Sequence, residues 1–485
     1  MDWAWWATFG VLGAEAGLRV GLSVRVLLRR ESTGATLSWL ALIMLFPLVG
    51  AGLYLLVGES RLGRRRAARE REVHPAYARY LDDLTARSGG AGLDGEGARL
   101  AREVRAALGV PAQTGNAVEL LGSAEEFGRA LEADIRGAQR SCHLEFFIWE
   151  SAGWVSGVED ALMDAARRGV VCRVLVDSIG SAAFLRGGRA RALRASGVKI
   201  VEALPAGVLS TLVRRVDLRN HRKVVVVDGE VGYTGSANLV DPAHFKRRAG
   251  VGRWVDAMAR VRGPSVEVLM LVFVRDWELE TGSGLEALAS HGEFVGSAGA
   301  RVGGVTAQVA PSGPGLGAGA IHSVMVSAIY AAERELALTT PYFVPDEAIR
   351  TALCAAARRG VRVTLILPAR VDSALVGFAG RAFYTDLLAS GVRIVLFRSG
   401  LLHTKSMVID GRIGVLGTVN MDPRSFWLNF EITMVVYNEG FASELAALLR
   451  RYESGAEVVE LGAWVTRSWT RRLTENVAQL FSPLL

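Results

Sequence analysis

The chain has 485 residues, 22% charged and 50% hydrophobic, with 55 glycines, 13 prolines and a mean hydropathy of +0.26. That length predicts two or three domains, and the apolar content excludes a disordered chain and favours some membrane-embedded surface. Cys142, Cys172 and Cys354 are too few and too widely spaced for a disulfide framework or a thiolate zinc site, while a net charge of +7 favours anionic partners.

The first predicted elements are hydrophobic. Trp3–Leu28 opens on Trp3, Trp5 and Trp6 but carries Glu15, Arg19 and Arg25. Glu15 and Arg19 are four apart and can pair, which lowers the cost of burying them. The segment reads as a membrane element, either spanning or interfacial. Residues 35–57 hold 23 consecutive positions without a charge, and about 20 suffice to cross a bilayer core. A spanning helix is expected there, with Pro47, Gly50 and Gly52 also allowing a re-entrant hairpin. A cleaved signal peptide is not expected, because a basic n-region and a small-residue cleavage site are both missing. Arg61, Arg64, Arg65, Arg66, Arg69 and Arg71 follow. Such a cluster favours the cytoplasmic face and attracts anionic headgroups, against the smaller pull of Arg29 and Arg30. Residues 1–60 are therefore expected to be membrane segments, and 61–115 a basic juxtamembrane linker.

The remainder is a duplication. Ala165-Ala166-Arg167-Arg168-Gly169-Val170 recurs as Ala356-Ala357-Arg358-Arg359-Gly360-Val361, and Ala195-Ser196-Gly197-Val198-Lys199-Ile200 as Ala389-Ser390-Gly391-Val392-Arg393-Ile394. The offsets are 191 and 194 residues. Each copy predicts a helix ended by glycine, then a buried strand. The expected fold class is α/β: two related halves, 116–290 and 300–485, packed about a pseudo-twofold axis with largely parallel sheets. A Gly, Ser and Ala-rich stretch over about 283–319 connects them, and 89–97 and 311–319 read as flexible loops.

The chemistry recurs at one place in each half. His221-Arg222-Lys223 followed by Asp228 spells H-x-K-x4-D, and His403-Thr404-Lys405 followed by Asp410 spells it again 182 positions later. Gly235-Ser236-Ala237-Asn238 and Gly417-Thr418-Val419-Asn420 follow the two motifs. In a strand, His221 and Lys223 share a face, as do His403 and Lys405, whereas Asp228 and Asp410 point away and read as turn organisers. Two imidazoles, two ammonium groups and two amides make a cationic, donor-rich cleft suited to a phosphodiester. One histidine attacks phosphorus, and the other protonates the departing alkoxide and then deprotonates the incoming hydroxyl. Lysine and asparagine neutralise the non-bridging oxygens, so no metal is expected, and no H-E-x-x-H or carboxylate cluster argues otherwise.

These paired motifs resemble the phospholipase D superfamily. Arg219-Asn220-His221-Arg222-Lys223, Thr340-Pro341-Tyr342-Phe343-Val344-Pro345-Asp346, Gly417-Thr418-Val419-Asn420-Met421-Asp422 and Arg424-Ser425-Phe426-Trp427-Leu428-Asn429-Phe430-Glu431 narrow the likeness to bacterial cardiolipin synthases. The N-terminal hydrophobic pair, Ser312-Gly313-Pro314 and Phe481-Ser482-Pro483-Leu484-Leu485 extend it over essentially the whole chain. The resemblance implies condensation of two phosphatidylglycerol molecules into cardiolipin and glycerol through a phosphohistidine, without a cofactor. His221, Lys223, Asp228, His403, Lys405 and Asp410 would form the catalytic set. Asn238, Asn420, Ser236, Thr418 and Arg219 would bind substrate, and Asp256 and Glu431 would each hold the far ring nitrogen of a histidine. The two motifs are symmetric, and superfamily habit favours His221 as nucleophile and His403 as acid and base. Ser236 stands where many relatives carry a second glycine, which bears on donor-lipid preference. The expected setting is the bacterial cytoplasmic membrane, with the catalytic body on its cytoplasmic face. Phosphatidylglycerol and other anionic phospholipids are the expected partners, nucleic acid is not, and a homodimer stays open. A phospholipase D hydrolase, or a transferase with another donor or acceptor, is the alternative that the motifs alone do not separate.

Three further stretches bear on contact with a membrane. Arg214, Arg215, Arg219 and Arg222 before the first motif, and Lys246, Arg247 and Arg248 after it, could capture headgroups or form a solvated basic face. Val208, Leu209, Leu212 and Val213 beside them could dip into the bilayer. Leu461, Trp464, Val465, Trp469, Leu473, Val477, Leu480 and Phe481 recur at helical spacing with Arg467, Arg471 and Arg472 between them. That pattern suits an interfacial amphipathic helix, and equally a core-packing or dimer-forming one.

Overall fold

The computed structural model describes residues 3–29, 33–58, 64–88, 91–205, 215, 217–246, 249–284, 301–317 and 319–482. The apolar stretch at Val208, Leu209, Leu212 and Val213, together with Arg61, Arg214, Arg247 and Arg248, lies outside the described residues. Two compact units are present: Met1–Ala68 with Ala206–Leu218, and Arg69–Pro205 with Arg219–Leu485.

The first unit holds helices Trp3–Leu28, Thr33–Leu45 and Pro47–Val57. No helix among the described residues is long and apolar enough to cross a membrane, which corrects the expectation of a spanning helix over 35–57. Phe46 leaves the helical region (φ −134°, ψ 72°) and Pro47, with no N–H to donate, starts a new helix. The uncharged run is thereby split into helices of 13 and 11 residues, each shorter than the roughly 20 that a bilayer core requires. Trp3–Leu28 has the length but not the composition, and its Arg19 and Glu15 pair at 2.7 Å. Leu22, Val26, Ile43, Ala51 and Tyr54 form the small core that these helices share.

The second unit is built on a 15-stranded sheet. Its first-half strands are β1 (Gln113–Leu121), β2 (Ser141–Phe146), β3 (Val171–Asp177), β4 (Lys199–Ala203), β5 (Val224–Val227), β6 (Val231–Gly235) and β8 (Met258–Arg262). The second half repeats them as β9 (Val305–Ser312), β10 (Glu335–Thr339), β11 (Arg362–Pro368), β12 (Arg393–Phe397), β14 (Ser406–Ile409), β15 (Ile413–Gly417) and β16 (Glu431–Tyr437), with β17 (Glu457–Val458) at one edge. The order β17-β12-β11-β10-β14-β15-β16-β9-β1-β8-β6-β5-β2-β3-β4 reads the same way outward from the β9–β1 junction. The strand β7 (Trp254–Val255) pairs separately with β13 (Leu401–Leu402).

The sheet is mixed, not largely parallel. Only β2-β3-β4 and β10-β11-β12 run parallel; the other neighbours are antiparallel. The cause lies in the motifs. Asp228 and Gly229 have φ of 54° and 69°, Asp410 and Gly411 52° and 69°, so each Asp-Gly pair sits at the centre of a tight turn, closed by the Glu230 N–H on the Val227 carbonyl and the Arg412 N–H on that of Ile409, that folds β5 onto β6 and β14 onto β15. The predicted helix stops are present: Val155–Arg167 and Glu347–Arg358 lead into β3 and β11 through Gly169 and Gly360, at φ of 91° and 93°.

Helix Ser265–Thr281 is buried nearly all round, as an apolar helix crossing the middle of a core must be. The segment read as a linker forms helices Arg64–Arg87 and Gly95–Leu108. Beyond residue 68 their Val73, Tyr77, Leu84, Leu100 and Val104 sit in the core of the second unit. Residues 305–312, placed by sequence in the connector, are strand β9 at the centre of the sheet.

Candidate active site

Neither histidine lies in a regular strand. Strands β5 and β14 begin just after the motif lysines, and the His-to-Lys segments are extended connections held by the opposite half. The His221 N–H donates to the Phe430 carbonyl at 2.9 Å, and the His403 N–H to the Val255 carbonyl at 2.8 Å. The residues after those carbonyls are Glu431 and Asp256. His221 Nδ1 lies 2.9 and 3.0 Å from the Glu431 carboxylate oxygens, and His403 Nδ1 lies 2.7 Å from Asp256 Oδ1. Each imidazole is therefore oriented by a carboxylate from the other half.

Burial pushes the His221 imidazole down to about 4 and His403 down to about 3, against the pull of the carboxylates. Burial also lowers Lys223 to about 8 and Lys405 to about 7. It works to raise the Asp256 carboxyl, but His403 and Lys405 hold it at about 2, and His221 and Lys223 likewise keep Glu431 lowered. A neutral imidazole thus donates its Nδ1 proton to an ionised carboxylate. Nε2, which no group among the described residues hydrogen-bonds, keeps a free lone pair. The motifs also feel one another: Lys405 depresses His221, and Lys223 depresses His403.

Each lysine folds back, Lys223 Nζ donating to the His221 carbonyl at 2.7 Å and Lys405 Nζ to the His403 carbonyl at 2.5 Å. Asn238 accepts from the Ile148 N–H at 3.1 Å and leaves its Nδ2 buried and unpaired. Asn420 has a buried, unpaired side-chain oxygen, and half a turn of the amide puts an NH₂ in its place. Unspent donors of this kind suit phosphoryl oxygens.

Other expected site residues serve elsewhere. The Ser236 hydroxyl donates to Asp256 at 2.6 Å, and Thr418 accepts from the Ile432 N–H at 2.9 Å and supports Glu431. Both are fully buried and hold the charge partners. Gly235 and Gly417 precede them because a Cβ there would stand 2.5 Å from the Ala257 carbonyl and 2.4 Å from that of Ile432. Asp228 takes the N–H groups of Gln139, Arg140 and Ser141 at 2.7–2.8 Å, and Asp410 those of Glu333, Arg334 and Glu335 at 2.8–2.9 Å. Those contacts make them hairpin and strand anchors, which corrects their place in the catalytic set.

The basic cluster is also largely committed. Arg222 is wholly buried, bonded to Asp276, to the Glu431 carbonyl at 3.0 Å and to the Ser312 carbonyl at 2.9 Å. Arg215 pairs with Asp217 at 2.5 Å, and the charge of Arg219 acts on Asp177.

Sequence reasoning missed the walls of the site. Phe147 meets the His221 ring edge-on at 5.1 Å, and Trp254 lies 4.3 Å from the His403 ring. Asn220 bonds Glu145 at 2.6 Å, and its N–H reaches Asp177 at 3.1 Å. On the second-half side, Asp372 accepts from Tyr342 at 2.7 Å and from Lys246 at 3.1 Å, and Lys246 lies over Trp254. Isolated aromatic and acidic residues give no periodic signal, so only the fold could reveal them. A cavity of about 320 Å³ lined by Tyr77, Leu81, Val110, Leu271 and Arg275 includes neither histidine.

Comparison with known proteins agrees with this layout. The family "Cardiolipin synthase, PLD-like domain" matches residues 131–249 and 325–452, one match per half, and "Phospholipase_D-nuclease N-terminal" matches 18–59. Cardiolipin synthase A of Cronobacter sakazakii is 42% identical over 470 residues, 96% of each chain. That of Edwardsiella ictaluri is 42% identical over 487 residues, covering 99% of this chain and 98% of its own. Among solved structures, phosphatidylserine synthase of Haemophilus influenzae superposes with a TM-score of 0.56 at 15% identity, over 80% of this chain and 98% of that one, a likeness of fold alone. With a family match in each half and relatives aligned over nearly their whole length, the chain belongs to the phospholipase D-like cardiolipin synthases.

Proposed function

We propose that the protein is a phosphatidyltransferase that makes cardiolipin from two molecules of phosphatidylglycerol at the bacterial cytoplasmic membrane, its catalytic body on the cytoplasmic side. The observation that carries this reading is the crossed pair of carboxylate-held imidazoles, each with Nε2 open and flanked by a lysine. His221 Nε2 attacks phosphorus, and the bond to the glycerol oxygen breaks as His403 delivers a proton to it. Phosphatidyl-His221 and free glycerol result. His403, now neutral, takes the proton from a hydroxyl of the second phosphatidylglycerol. That oxygen attacks phosphorus, the P–N bond breaks, and both rings return to their starting state.

Lys223, Lys405 and the two amides balance the charge that grows on the non-bridging oxygens. The bound phosphodiester, being anionic, raises the imidazole that must carry a proton.

The test is product analysis by mass spectrometry, with phosphatidylglycerol as the only lipid. Cardiolipin and glycerol in equal amounts are expected, with turnover lost in His221→Ala and in His403→Ala. Phosphatidic acid as sole product would make the protein a hydrolase, and dependence on a cytidine-activated lipid would refute the mechanism.

A further inference from the structure

The C-terminal segment carries an apolar face that the chain itself leaves uncovered. Helix Trp469–Gln479 packs against helix Ala374–Arg381 through a side that includes Glu475 and Ala478, both buried. The segment is firmly seated: Trp464 stacks on Tyr384 at 5.0 Å, and Arg467 lies on Trp464 and pairs with Glu475 at 3.0 Å. On the outer side Trp469, Leu473, Val477 and Leu480 line up at helical spacing and are 72%, 54%, 46% and 76% exposed. Phe481, Leu461 and Val465 extend that exposed apolar surface.

Its charge is one-sided. Residues 461–482 contain Arg467, Arg471 and Arg472 but a single acid, the buried Glu475. Arg471 and Arg472 stand exposed beside the stripe. Along helix Trp469–Gln479 the one acid is buried, and a tryptophan-bearing apolar stripe rimmed by arginine is the composition of a helix lying in a lipid headgroup layer. Its position matters too. Helix Ala374–Arg381 starts two residues after Asp372, which is tied to Tyr342 and Lys246 beside the Trp254–His403 pair. Leu375, in the first turn of that helix, is also exposed.

We infer that Trp469, Leu473, Val477 and Leu480 dock the catalytic unit onto an anionic phospholipid bilayer and hold the His403 side of the cleft beside the lipid surface. This rests on the proposed action on phosphatidylglycerol, but its test does not read turnover. Leu473→Cys in the full chain is labelled with an environment-sensitive fluorophore, and Ser454→Cys, also exposed, serves as control. The native Cys142, Cys172 and Cys354 are buried and do not compete for the label.

In bilayers of phosphatidylserine and phosphatidylcholine, the label at 473 should shift to the blue and be quenched by nitroxide-bearing lipid, while the label at 454 does neither. A water-like label at 473 in membrane-bound protein overturns the inference. So does a blue shift in detergent that grows with protein concentration and escapes lipid quenching, which assigns the face to a second copy. Insertion at 473 in these bilayers, with no cardiolipin formed when the same protein is given phosphatidylglycerol, would sink the proposed function and leave the docking surface standing.

Discussion

Burial decides how the two imidazoles behave. An exposed histidine beside a carboxylate would be half protonated near neutral pH, whereas His221 and His403 are driven to about 4 and 3 by desolvation. The carboxylates therefore act mainly by fixing tautomer and direction. Asp256→Asn and Glu431→Gln should each lower kcat by up to about 10⁴ with little change in melting temperature, the loss seen when the orienting aspartate of a catalytic triad becomes asparagine. Asp228→Ala should behave oppositely. It abandons three backbone N–H groups, so about 1–3 kcal/mol of stability is lost, readable in urea unfolding, while activity per folded molecule stays. The nucleophile can be identified with a p-nitrophenyl phosphodiester, whose leaving group needs no acid. His403→Ala should still release the first equivalent of nitrophenol, and His221→Ala should not. The repeated His, Lys and Asn positions were legible as a motif. Asp256 and Glu431 were reachable only through family likeness, because a contact made across a twofold leaves no fixed spacing in the chain.

Among the elements, the hairpins explain most of what sequence reading missed. Asp228-Gly229 and Asp410-Gly411 are strong turn signals. Strand parity reads both aspartates as turn organisers while the family likeness places them in the catalytic set, and the antiparallel middle of the sheet that such turns imply was not drawn from them. The helix–glycine–strand repeats were read correctly, since a glycine at positive φ after an amphipathic helix is a local signal. Over 35–57 the apolar count favours a spanning helix, and the break at Pro47, which sequence reading names as a ground for the re-entrant alternative, is what divides the run. Arg222 binds elements together from within, spanning Asp276 on helix Ser265–Thr281, β16 and β9. Arg222→Met should lower stability by about 3–5 kcal/mol, because Asp276 is left buried and uncompensated. The double change with Asp276→Leu should recover much of that loss in the same unfolding measurement.

At the level of the whole molecule, pH should pull stability and activity apart. The histidines have folded values below the ordinary 6.5, so between about 4 and 6.5 the unfolded chain binds more protons than the folded one. Their contribution to stability is complete above 6.5 and is lost as pH falls, so the melting temperature should drop from pH 7 to 5, less steeply in His403→Gln. The lysines act at the other end. With Lys405 near 7 and Lys223 near 8 against an ordinary 10.4, stability rises with pH over that interval as the unfolded chain alone stays protonated. kcat/KM should fall over the same interval, because the free enzyme loses the charges that receive the phosphodiester.

The crossed carboxylates also bear on how the enzyme is made. Asp256 leaves the ribosome well before the ring it must hold, whereas His221 emerges 210 residues ahead of Glu431. Throughout that interval the His221 ring has no Glu431 carboxylate to hold it. The paired site therefore cannot be complete until the second half has been made, because each ring waits for a carboxylate from the other half.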